Sequence, residues 1–250
     1  MTILILYHLS GMKCFEYYYR EVVLKTLKKD FPTAPSYEWF ISLIPRVMSH
    51  MFAFLYKCRC KKTDQEIYYM DSKQIPVCHN RRIHSNKVFK GMAERGKSST
   101  GWFYGFKLFL IINPWGEIVR VYLTKGNVAD NNFSLLKTLL KGLRGKAFAD
   151  KGFITKYFSF FQQEGLSIIT KIRNNMKNKL VTMEDKILLT KRGVIESAFD
   201  IMMTICDIEH TRHRSPVNAF THLIAGLTAY TYLEKLPSVM GKKYQSLKHF

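Results

Sequence analysis

The chain has 250 residues, 47% hydrophobic and 14% aromatic, which excludes global disorder and leaves room for one catalytic domain with a small appendage. Its 39 Lys and Arg against 19 Asp and Glu give a formal net charge of +20. That excess favours a polyanionic partner, with nucleic acid foremost, because each cation near a phosphate releases condensed counterions.

Apolar runs such as Ile3 to Tyr7 and Phe109 to Ile112 are too short to span a bilayer, so no membrane partner is expected. Met1 to Leu9 lacks the basic leader and small-residue cleavage site of a secretory signal, and a cytosolic setting is expected. The five cysteines, Cys14, Cys58, Cys60, Cys78 and Cys206, are odd in number and irregularly spaced, which argues for reduced thiols. Cys58-Arg59-Cys60 with Cys78-His79 fits zinc-finger spacing poorly.

In chain order, residues 10–64 read as a small basic helical region, with an apolar-aromatic stripe over Phe15 to Phe31 and Ser36 capping a segment through Leu55. Lys57 to Lys62 is a basic connection. From Gln65 the texture changes, and Glu66 to Asp71 is expected to be a buried strand with Asp71 near its end. His79 to Lys97 carries Arg81, Arg82, Lys87, Lys90, Arg95 and Lys97 against the single acid Glu94 and reads as a basic loop.

Phe103 to Asn113 and Glu117 to Thr124 are apolar, β-rich runs around Asn113-Pro114-Trp115-Gly116, a hairpin pattern. Asp130 or Asn131 opens a helix through Leu140, and Lys146 to Ala149 is a short strand ending at Asp150. A helix from Ile154 to Gln163 and a strand from Ser167 to Ile172 follow, then a polar, irregular insertion from Arg173 to Lys191. Ile195, Ala198, Phe199 and Met202 repeat at the spacing of a buried helical stripe, with Glu196 on its flank. Val217 to Leu236 is a final helix, and Gly241 to Phe250 a basic tail.

Three strands, a helix, a strand, a helix and a strand make an α/β chain with a mixed sheet flanked by helices. Two acids end strands and a third rides a helix, where open α/β sheets place their chemistry. Hard divalent cations take oxygen ligands, and two ions about 3.5–4 Å apart can share a few carboxylates and a substrate phosphate during an in-line displacement. Asp200, one turn after Glu196, competes for the helix position.

Five segments in order carry a resemblance: Tyr69-Met70-Asp71-Ser72, Tyr104-Gly105-Phe106-Lys107, Gly126-Asn127-Val128-Ala129-Asp130, Ala149-Asp150-Lys151-Gly152-Phe153 and Arg192 to Phe199. The chain resembles the DDE transposases of bacterial insertion sequences over roughly residues 10–236. That resemblance implies a ribonuclease-H-like catalytic domain over 65–236, behind an N-terminal region 1–64 and ahead of a tail 237–250. It implies Asp71, Asp150 and Glu196 as ligands of two Mg²⁺ or Mn²⁺ ions. Lys107, Asn127, Asp130 and Arg192 become supporting residues, with Arg192 orienting Glu196 or touching a phosphate.

The partners implied are double-stranded DNA with terminal inverted repeats, target DNA and a second copy of the chain, in a bacterial cytoplasm at the nucleoid. DNA contacts are expected at Arg81, Arg82, Lys87, Lys90, Lys151, Arg212 and Arg214. Several relatives carry a basic residue two turns after the glutamate, where this chain has Met203. The N-terminal part is short for a reader of specific repeats. Two other readings therefore stay open: a truncated or inactive DNA-binding remnant, and another ribonuclease-H-like nuclease such as a junction resolvase.

Overall fold

A computed structural model describes residues 1–61, 66–98, 101–171, 182–209 and 213–239. The chain divides into two compact units, one of residues 1–59, 86–89 and 200–234, the other of 60–85, 90–199 and the segment from 235.

The second unit holds a mixed six-stranded sheet of β1 (Ile67–Cys78), β2 (Glu94–Ser98), β3 (Gly101–Ile112), β4 (Ile118–Lys125), β5 (Gly145–Ala149) and β6 (Leu166–Thr170). The order is β2-β3-β1-β5-β6, with β4 also on β3. Residues 101–105 of β3 pair with β2 and residues 106–112 with β4, so these two strands lie end to end along one edge of β3. The pairs β1–β3 and β3–β4 are antiparallel, while β1–β5 and β5–β6 are parallel. A curled mixed sheet of this order, flanked by helices, is consistent with the ribonuclease-H-like fold.

The central strands are apolar on both faces, as two-sided burial requires. Tyr68, Met70, Phe109, Ile111, Ala147 and Ala149 join Leu135, Leu136, Leu139 and Leu140 of α5 (Phe133–Leu140) and Phe161 of α6 (Phe158–Gln163) in one core. Gly145 starts β5 at φ +97°, and a Cβ there would stand 2.2 Å from the Glu66 carbonyl oxygen. Only glycine fits this approach of β5 to β1.

In the first unit, α1 (Thr2–Leu9) packs on α9 (Pro216–Tyr230). Ile3, Tyr7, Tyr18, Tyr19 and Val23 form a second core, joined by Phe15 of α2 (Phe15–Tyr17), which continues as a π-helical stretch Tyr18–Thr26. The Ser36 hydroxyl caps α3 (Tyr37–Leu43), accepting from the Trp39 amide at 3.3 Å, and α4 (Met48–Phe54) follows. The helical run Tyr37–Arg59 is 23 residues long and, by length and composition only, apolar enough to cross a membrane. Its α4 portion packs on α9.

Several elements depart from the expectation. Asp71 lies inside β1, because pairing with β3 carries the strand to Cys78. Residues 94–98, expected as loop, form β2, a strongly polar edge strand without apolar alternation. Met183–Thr190, expected as irregular, is α7, capped by the Thr182 hydroxyl accepting from the Asp185 amide at 3.1 Å. The α5 cap is Asn132 rather than Asp130 or Asn131, since its side chain accepts from the Leu135 amide. Helix α6 starts at Phe158, not Ile154, and α9 stops at Tyr230, short of Leu236. The 172–181 part of the insertion and the 241–250 tail lie outside the described residues.

Candidate active site

The site starts from one register. Tyr69 pairs with Phe148 and Met70 with Ala149 across the parallel strands β1 and β5. The next residues are Asp71 and Asp150, so both acids leave the parallel pairing at the same level. Asp150 heads a short 3₁₀ turn, Lys151–Phe153, whose Phe153 amide donates back to the Asp150 carbonyl at 3.0 Å. The third acid comes from α8 (Gly193–Thr204), which buries Ile195, Ala198, Phe199 and Met202 and leaves Glu196 on its exposed flank.

Asp71, Asp130, Asp150 and Glu196 line one cavity of about 400 Å³, together with Ser72, Lys73, Gln74, Lys97, Ser98, Phe103, Lys107, Arg192 and Phe199. Arg192 joins two of the acids, donating to Asp71 Oδ2 at 3.1 Å and to Glu196 Oε1 at 2.5 Å. It is one turn before Glu196, the spacing at which helix side chains meet. Asp71 also accepts the Ser72 amide at 2.8 Å. Burial pushes the Asp71 carboxyl up to about 6 against the Ser72 hydrogen bond and Arg192, and the nearby charges of Asp150 and Glu196 push the same way.

A second cluster braces the floor. Lys107 Nζ, on β3, donates to Asp130 Oδ1 at 3.0 Å and to the Val128 carbonyl at 2.9 Å. The Ser72 hydroxyl donates to the same Asp130 oxygen at 3.0 Å. A Cβ on Gly152 would stand 3.0 Å from Asp130 Oδ2, so the turn after Asp150 is kept small to pass this carboxylate.

Of the residues expected at the site, Asp71, Asp150, Glu196, Lys107, Asp130 and Arg192 come together here, while Asn127 is exposed and outside the cavity lining. Arg81, Arg82, Lys87, Lys90 and Arg214 are exposed and Lys151 half-buried. The basic stretch is not one loop: Asn86–Phe89, with Lys87, belongs to the first unit, where Phe89 meets Phe220 at 6.4 Å. Arg212 lies outside the described residues. Ser72, Lys73, Gln74, Lys97, Ser98 and Phe103 were missed as site residues. Ser72 sits in a motif already singled out, whereas Lys97 and Ser98 needed β2 to be seen as a strand.

The oxygen donors suit Mg²⁺ or Mn²⁺. Among the described residues no three acidic, His or Cys side chains are gathered at metal-ligand spacing, and the Arg192 guanidinium bridges Asp71 and Glu196. The donor set fits a divalent cation provided that Arg192 yields these oxygens.

A family model described as the transposase DDE domain matches residues 61–216. The chain belongs to that family, whose members act on DNA. No curated protein matches the sequence.

Proposed function

We propose that the chain is a DNA transposase that hydrolyses a phosphodiester at the ends of an insertion sequence and transfers the freed strand to target DNA. The observation that carries this reading is the shared cavity: Asp71 and Asp150 follow one register position on adjacent parallel strands, and Glu196 of α8 lines the same space. Asp71, Asp150 and Glu196 would hold two divalent cations, whose chemistry is to activate the attacking oxygen and stabilise the leaving one.

The chain's own residues do the placing. The parallel strands fix Asp71 and Asp150, the buried stripe of α8 fixes Glu196, and Arg192 holds two of these carboxylates together until a stronger cation competes. Lys107 neutralises Asp130, so the floor of the cavity does not add a further negative charge facing phosphate. The net charge of +20 supplies attraction for the DNA backbone. The work belongs at chromosomal DNA in a bacterial cytoplasm, on double-stranded ends and target, with the chain acting as a homodimer.

The test is cleavage and joining of oligonucleotides bearing the element's terminal repeat, with Mg²⁺ and the purified chain. Asp150→Asn should abolish both steps and leave DNA affinity unchanged or slightly higher, since it removes negative charge beside phosphate. Cleavage by D150N at the wild-type rate contradicts the assignment. DNA binding without cleavage by the wild type points to a non-catalytic remnant, and cutting of four-way junctions without joining points to a resolvase.

A further inference from the structure

The β2–β3 hairpin presents an indole that the carboxylate site does not use. Trp102 is 60% exposed, although Phe103 and Tyr104 beside it are buried. The register pairs it directly with Lys97, whose Nζ stands 5.7 Å from the indole ring centroid, within cation–π reach. Lys97 also lines the cavity of Asp71, Asp150 and Glu196, so the indole stands beside a residue of that site.

The platform is held firmly. Trp102 lies on a paired strand, and Asn80 Nδ2 donates to its carbonyl at 2.6 Å. Asn80 begins a 3₁₀ turn whose next residues, Arg81 and Arg82, are exposed cations. Gly96, opposite Phe103, has no room for a side chain, since a Cβ would meet the Gly126 carbonyl oxygen at 2.2 Å. The hairpin is therefore fitted closely around Gly96 and Phe103 while the Trp102 indole stays largely exposed beside Lys97.

An aromatic plane next to a cation matches a nucleobase joined to a phosphate. In an intact duplex the base faces are covered by their neighbours, so an indole face is useful where a base is unpaired, at an end, a nick or an overhang. We propose that Trp102 is a stacking platform for an unpaired base of the DNA strand whose phosphate Lys97 holds beside the carboxylate cavity. The inference rests on the DNA-acting reading above and adds the form of DNA engaged.

The test is fluorescence anisotropy of the full chain, without divalent metal, on a labelled duplex with a single-stranded overhang and on its blunt counterpart. Wild type, Trp102→Ala and Trp102→Phe are compared at matched salt. Loss of one base stack predicts that W102A binds the overhang about 5- to 100-fold more weakly and the blunt duplex almost as wild type does, while W102F keeps most of the affinity. The salt slope of W102A should stay unchanged because no phosphate contact is lost, whereas Lys97→Gln should lower it by about 0.7 on the single-stranded part.

Equal affinity of W102A and wild type for the overhang overturns the platform and leaves the DNA reading standing. Equal weakening on both DNAs overturns base stacking. A changed sedimentation coefficient with unchanged DNA affinity assigns the indole to a second copy of the chain instead. Absence of any DNA binding by wild type overturns both readings.

Discussion

Arg192 carries the charge balance of the candidate site. Its side chain is only 16% exposed and lies against those of Asp71, 20% exposed, and Glu196, 59% exposed, so the inner bond outweighs the outer one. Arg192→Gln should leave a half-buried Asp71 facing Asp150 and Glu196 without a counter-charge. The expected loss is about 1–2 kcal/mol in urea unfolding of the metal-free protein, and Mg²⁺ should restore more stability to the variant than to wild type. An unchanged midpoint would mean that the pair contributes nothing. At this scale the sequence was informative, because an acid after an apolar strand and an Arg one turn before a Glu are local patterns. The placements of Ser72 and Lys97 were not visible, since they depend on Asp130 and Trp102, 58 and 5 positions away.

Elements held by polar groups were the hardest to read. Strand β2, with sequence ERGKS, has no apolar alternation and exists because β3 offers it a free edge. Helix α7 is fastened to β5 by Lys146 Nζ and Asp185 Oδ1 at 2.7 Å, a contact between residues 39 positions apart that no periodicity announces. Burial would raise the Asp185 carboxyl, but hydrogen bonds from Lys146 and Thr182 outweigh it and hold the group below its ordinary 3.8. A carboxyl depressed in the folded state contributes stability above its unfolded value and loses it as pH falls through the folded one. Thermal unfolding should therefore show a loss of stability below about pH 4 that is smaller in Asp185→Asn. An identical acid limb in the variant would remove α7 from the balance. The apolar strands β1, β3 and β5 were legible because two-sided burial leaves continuous hydrophobic runs.

Across the whole molecule, the charge of +20 predicted DNA, but not where the cations would lie. Arg81, Arg82 and Lys90 belong to the second unit and Lys87 to the first, so they are better tested apart than as one loop. Neutralising Arg81, Arg82 and Lys90 together should lower the salt slope on duplex DNA by up to about 2.7, and Lys87→Gln alone by up to about 0.9. Unchanged slopes would move the DNA path to other cations. The joining of residues 1–59 with 200–234 was out of reach of the sequence, because helices that pack over such separations leave only their own apolar stripes as a trace.

If the proposed function holds, Asp71, Asp150 and Glu196 form one divalent-cation site. Titration of the protein with Mn²⁺, followed by electron paramagnetic resonance, measures it without relying on turnover. Wild type should bind, and Asp71→Asn, Asp150→Asn and Glu196→Gln should each weaken binding at least about tenfold, as loss of a charged ligand requires. Mn²⁺ binding at wild-type affinity in any one of the three would contradict it.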